Sequence, residues 1–211
     1  MYTMSTSARA RRRYHHGDLP ATLLQVAGKI LEKEGVEDLS LRALARRAGV
    51  SHAAPYRHFP DRESLLAALA AEGFAMLGEA QRQAAAAAGL RGMGEAYVRF
   101  ALGHPQRFRL MFGGTVRIAK HPALREVATR TFDGLSGALA ARVPEAKDAR
   151  DSSIAAWAMV HGLAQLLLED RVAEAARGGR SQAQFVSEVL ATIRFAAGAA
   201  PRPAAGADQS A

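Results

Sequence analysis

The sequence predicts an all-α protein in two parts, a small N-terminal helix-turn-helix bundle joined by a long helix to a larger helical domain. Three observations predict it. First, the composition is 49% apolar but only 6% aromatic, with abundant alanine, which favours helix and leaves no sheet to expect. Second, apolar residues recur with a 3.6-residue period in successive stretches separated by glycine or proline. Third, LSLRALARRAGVSHAAPYRHF, from Leu39 to Phe59, has the form of two short helices about a glycine turn.

In chain order, residues 1–14 are polar and basic without apolar period, and read as a disordered arm. Arg11 to Arg13 stand just ahead of the first helix. They fit either insertion into a minor groove or a solubilising tail without fixed contacts. Asp18 begins a helix to about Glu34, with Pro20 in its first turn, Gly35 as its stop, and Leu23, Ala27, Ile30 and Leu31 as its stripe.

Ser40 caps the next helix, where Leu41, Leu44, Ala45 and Ala48 share one face, and Gly49 ends it. Val50 is an anchor, and Ser51 is placed to cap a second helix running to His58. Pro60-Asp61 opens a helix to about Ala87, with Leu65, Leu66, Leu69 and Leu77 giving its period. At 1.5 Å per residue it is roughly 40 Å long, enough to pass from one domain into the next.

Beyond Gly89, helices are expected at Gly94–Leu102, from Pro105 to Phe112, from Pro122 to about Val143, over 148–175 and over 181–197. A disordered tail follows. The domain boundaries are then 1–14 (arm), 15–62 (helix-turn-helix unit), 63–198 (larger helical unit) and 199–211 (tail).

The formal charge of +8 is uneven. Residues 1–60 hold ten Lys or Arg against five Asp or Glu, an excess that suits a polyanionic partner. No cysteine is present, which excludes disulfides, thiolate catalysis and cysteine-based zinc sites. There is no signal-peptide pattern and no apolar run of membrane-spanning length, so the cytoplasm is the expected location and no membrane partner is expected. Catalytic signatures such as H-E-x-x-H, G-x-S-x-G and G-x-x-x-x-G-K are missing, so no enzymatic activity, cofactor or metal is expected.

On the polar face of the first helix of the pair lie Arg42, Arg46 and Arg47. The second offers His52, Tyr56, Arg57 and His58. These are groups for phosphates and base edges, although a basic, solvated helical hairpin has the same residues.

The segment AGVSHAAPYRHFPDRESLLAAL resembles the DNA-binding core of the tetracycline-repressor (TetR) family of bacterial regulators, over about Asp18 to Ala70. Tyr56 and Phe59 form its Tyr-x-x-Phe, and Asp61 its acidic cap. The resemblance implies that the helix from Ser51 enters the major groove of a double-stranded operator. His52 would then read a base edge, the methyls of Ala53 and Ala54 would face thymine methyls, Tyr56 and His58 would hold phosphates, and Arg57 would serve either role. The amides of Ser40 and Leu41 would hold a phosphate from a helix start, with Arg42 beside them. Ala54 and Pro55 depart from the commoner hydroxyl-then-aliphatic pair, which removes the usual hydroxyl contact. Pro55 also removes a backbone donor.

In the second half, IAAWAMVHGLAQLLLE is similar to the W-x-x-x-H-G element of a TetR subgroup with a WHG regulatory domain. Ser153, Trp157, His161 and Gln165 recur at i+4, and are read either as the polar stripe of a ligand pocket or as satisfied core residues. Phe100, Phe108, Met111 and Phe112 are further wall candidates. Val160, Gly162, Leu163 and Leu167, with Phe185, Val189 and Ile193, resemble the family's two-helix homodimer face, against the alternative of packing within the chain.

The function expected is a ligand-responsive repressor that binds a palindromic operator as a homodimer and is released by an unidentified small-molecule effector. A helical small-molecule carrier or enzyme with a degenerate DNA-binding domain is the alternative.

Overall fold

In a computed structural model of the chain, residues 19–141 and 146–193 are described, without the side chains of 146–149. The arm, Asp18, Pro144 and the tail lie outside them. Every regular element among the described residues is helical: α1 (Leu19–Glu34), α2 (Leu41–Ala48), a 3-10 turn (Pro55–Arg57), α3 (Arg62–Gly103), α4 (Pro105–Phe112), a second 3-10 turn (Ile118–Lys120), α5 (Pro122–Ala140), α6 (Ala146–Leu168), the single turn α7 (Glu174–Arg177) and α8 (Gln182–Ala191).

The N-terminal bundle forms as its apolar period requires. Leu23, Ala27, Ile30 and Leu31 of α1 are buried against Leu41 and Leu44 of α2 and Leu65, Leu66 and Leu69 of α3. The Ser40 hydroxyl oxygen accepts from the Ala43 amide at 3.1 Å, closing the start of α2, and Gly49 closes its end in the left-handed conformation at φ 69°. Arg62, in the first turn of α3, fixes the bundle. Its guanidinium donates to the carbonyls of Leu39 (2.8 Å) and Val36 (2.5 Å), clamping the α1–α2 connection to the long helix.

At Ala88 and Gly89 the long helix reverses. Gly89 sits at φ 59°, ψ −144°, a conformation essentially confined to glycine. A straight helix would hold residues 74 and 97 about 35 Å apart. Instead, the Phe74 and Tyr97 rings lie 5.3 and 6.3 Å from the same Phe112 ring, so the limb after Gly89 folds back along the first. The two limbs, with α4, α5, α6 and α8, enclose the C-terminal core, which continues without a break into that of the N-terminal bundle.

Three expected elements differ. The helix expected over Ser51–His58 is a string of tight turns ending in the 3-10 turn at Pro55–Arg57. Pro55 has no N–H to return to Ser51; the Ser51 carbonyl accepts instead from Ala54 at 3.0 Å, three residues on, and the Pro55 carbonyl accepts from His58 and Phe59. The helix expected to reach residue 175 stops at Leu168. Asp170 turns left-handed at φ 49°, and the Arg171 amide bonds back to Leu166 at 2.8 Å; a polar Glu169-Asp170-Arg171 run offers no apolar side to continue. The last helix, begun by a capping box at Ser181 and Gln184, ends at Ala191.

Candidate DNA interface and ligand cavity

The turn after α2 presents its polar side chains outward. Ser51, His52, Ala53, Tyr56, Arg57 and His58 are exposed, and Ala54 is half-buried. Tyr56 is 48% exposed and is therefore not a core residue, while Pro55 and Phe59 are buried and root the turn in the bundle. That anchoring role of Pro55 was not foreseen. Ser40 and Arg42 are exposed on the neighbouring helix. Arg47 is diverted, since its guanidinium donates to Glu34 of α1 at 2.7 Å. Asp61, which starts α3, has its carboxyl held below the usual carboxylate range by hydrogen bonds from Ser64. The tip is thus a short, cationic and aromatic prominence on a buried footing, suited in size to a groove and in chemistry to phosphates and base edges.

The C-terminal core contains a cavity of about 620 Å³, within the range of small-molecule sites. Phe74, Leu77, Met93 and Tyr97 of both α3 limbs, Phe112 of α4, Phe132 and Leu135 of α5, Trp157 and Val160 of α6 and Leu190 of α8 form its walls. Of the eight ligand residues expected from sequence, Phe112 and Trp157 line it. Phe100, Phe108 and Met111 are buried in the core behind the wall, as is Ser153; Gln165 is half-buried away from the cavity.

His161 also stands behind the wall, in a relay. The Trp157 indole N–H donates to the Tyr97 phenol oxygen at 3.1 Å, and that oxygen lies 2.9 Å from His161 Nδ1. Burial lowers the His161 pKa and raises that of Tyr97. A neutral imidazole therefore accepts the phenol proton at Nδ1, and its own proton sits on Nε2. The imidazole packs at 5.3 Å on Phe108 and 5.0 Å from Phe112, which fixes the wall from outside. Sequence reading missed Tyr97, the centre of this relay, and missed that most of the wall belongs to α3 and α5.

α4 joins the cavity wall to α1 and α3 of the N-terminal bundle. Arg107, only 6% exposed, donates to the Leu69 carbonyl at 3.2 Å and to Glu72 at 2.7 Å on α3, while Glu32 of α1 lies 3.9 Å from its Nε. Glu32 also accepts from the Gln106 and Arg107 amides, at 3.3 Å each, satisfying the start of α4. The fit is close: a Cβ at Gly28 of α1 would run into the Arg107 guanidinium. Five residues further along the same helix, Phe112 faces the cavity.

The expected dimer residues are mostly internal. Leu167 and Phe185 are buried in the chain's own core, Val160 and Ile193 line the cavity, and Leu163 and Val189 pack half-buried against the core. Gly162 alone of the seven faces open space. The outward apolar stripe of α6 is Ile154, Ala158, Gly162 and Leu166, at successive i+4 steps, with Met159 beside it.

An exposed helix-turn-helix tip on an all-helical body defines a class of protein, the helix-turn-helix DNA-binding regulators. Within that class, residues 23–69 match the model of bacterial regulatory proteins of the tetR family, and residues 90–193 match the tetracyclin repressor-like C-terminal domain. The chain belongs to the TetR family of transcriptional regulators.

A solved protein of unknown function from Rhodococcus sp. RHA1 is 34% identical, with 86% of this chain and 96% of that one covered and a TM-score of 0.71. The candidate regulatory protein SCO4313 is 26% identical over 82% of this chain and 93% of its own, with a TM-score of 0.64. PfmR, a TetR family transcriptional regulator from Thermus thermophilus, shares the fold at 21% identity and TM-score 0.54, over 80% and 94% of the two chains. No curated protein matches the chain.

Proposed function

We propose that this regulator is a ligand-responsive repressor, binding a palindromic operator as a homodimer and releasing it when the cavity fills. It acts by binding alone, with 15–62 as the DNA-binding unit and 63–198 as the regulatory and dimerisation unit. His52 and Arg57 meet base edges, while Tyr56, His58, Ser40 and Arg42 meet phosphates. A single tip buries too little surface for specific affinity, which calls for two. The second copy is seated on the α6 stripe, whose small residues Ala158 and Gly162 let a helix approach closely between Ile154 and Leu166.

The observation that carries the reading is α4. Phe112 stands in the cavity wall, and Arg107 on the same short helix is locked to α1 and α3. A ligand that displaces Phe112 tilts α4, and the rigid Arg107 contacts carry the tilt to α1 and so to the tip. Two tips spaced for successive grooves, roughly 34 Å apart, lose their register.

Selection of bound DNA from a random duplex library, with sedimentation equilibrium on the same protein, tests the DNA half. Inverted repeats bound by a dimer are expected. A monomer, or recovered sites without twofold symmetry, overturns it.

A further inference from the structure

The cavity's polar groups name the class of ligand. Gln81 lies on the buried i+4 series of α3, after Leu65, Leu69, Gly73 and Leu77, and lines the cavity. It is only 6% exposed, yet its amide has no hydrogen-bond partner among the described residues. The amide atoms are not sealed among apolar neighbours, so the carbonyl and N–H groups open on the cavity and are available to a ligand.

Two other polar groups of the lining are already engaged, while the remaining hydroxyl, that of Thr129, is exposed. The Tyr97 phenol is held between Trp157 and His161, and the Thr131 hydroxyl donates to the Phe74 or Val127 carbonyl, each at 3.0 Å. Among the described residues no carboxylate lines the cavity, so a cation entering it would lose its water without gaining a counter-charge. Arg91, the one charged residue among those described in the lining, is largely exposed at the mouth, with Glu95 3.7 Å away to offset its charge.

We propose that the effector is an uncharged, mainly aromatic molecule carrying a single group that both donates and accepts hydrogen bonds, an amide or lactam, paired edge to edge with Gln81. The inference rests on the cavity being the effector site. The amide of Gln81 offers one carbonyl and two N–H groups, which a carboxamide matches with two antiparallel hydrogen bonds. An ammonium matches only the carbonyl and enters without a counter-ion. A carboxylate matches only the N–H groups.

The test uses one apolar body with four heads: biphenyl, biphenyl-4-carboxamide, biphenyl-4-carboxylate and 4-(aminomethyl)biphenyl. Each is titrated by calorimetry and Trp157 fluorescence into the full chain and its Gln81→Leu and Gln81→Glu variants. The carboxamide is expected to bind at least tenfold more tightly than biphenyl and than either charged analogue. Gln81→Leu should weaken the carboxamide about tenfold and leave biphenyl unchanged or tighter, which also shows that the variant is folded. Gln81→Glu should turn the preference towards the amine.

Equal affinity for all heads, or equal loss for all of them in Gln81→Leu, overturns the Gln81 assignment while leaving the cavity as a binding site. Failure of all four to bind overturns the cavity reading and this inference with it.

Discussion

The tip and the cavity are built in opposite ways. At the tip, chemistry-bearing side chains stand in solvent on a footing of two buried residues, Pro55 and Phe59, so they contribute little to the fold. Around the cavity the same aromatic and imidazole types are stacked and hydrogen-bonded to one another about a buried Tyr97, so each serves the fold and the site together. Function at the tip can therefore be removed without unfolding the protein, whereas function at the cavity wall cannot be cleanly separated from stability. α4 belongs to both regimes, which is why the coupling is placed there.

The largest effect should come from the core behind the wall. Phe108→Ala removes a ring with no exposure, and should cost about 3–5 kcal/mol in chemical denaturation. A loss below 1 kcal/mol would make the support of the wall as independent of the fold as the tip. Next, Arg57→Ala should weaken operator binding by about 1–3 kcal/mol, read by fluorescence anisotropy, with an unchanged melting temperature. A variant that melts earlier would erase the contrast.

Arg107→Met keeps the stem but removes the ties to Glu32 and Glu72. It should retain operator binding and ligand binding while cutting the effector's influence on operator affinity, typically worth about 1–3 kcal/mol, towards zero. An effector response of wild-type size would move the coupling off α4.

The smallest effect is in pH. Burial lowers the folded-state pKa of His161 below its ordinary 6.5, so the unfolded chain binds the proton more readily. Its contribution to stability is complete above pH 6.5 and is lost as pH falls from there through the folded value. Protonation also removes the acceptor for Tyr97, so ligand binding should weaken over the same acidic range. His161→Phe should flatten that part of the profile for both readouts.

Much of the fold was legible because its signals are local. Ser40, Gly49, Asp61 and Ser181 mark helix ends by their own chemistry, and each ends or starts a helix where expected. The recognition turn was read as helix because its residues permit one; the missing Pro55 donor decides otherwise. The cavity was less legible. Of the i+4 run Ser153, Trp157, His161 and Gln165, only Trp157 lines the cavity, because a helix face does not say which of its residues meets a void and which meets a neighbour.

That depends on the reversal at Gly89, which brings Tyr97 against Phe112 and His161. Gln81 did leave a trace, as a polar residue on an otherwise apolar i+4 series. Of the residues expected at a dimer face, Leu167 and Phe185 are apolar enough for an interface, but the chain also uses them in its own core.

The central claim is that filling the cavity moves the tip. The most direct measurement is the affinity for a selected operator duplex, by fluorescence anisotropy, with the cavity empty and then saturated by a biphenyl probe whose occupancy is established by calorimetry. The account predicts a loss of about 5- to 150-fold in operator affinity on saturation. An operator affinity that stays the same with the cavity demonstrably full would contradict it.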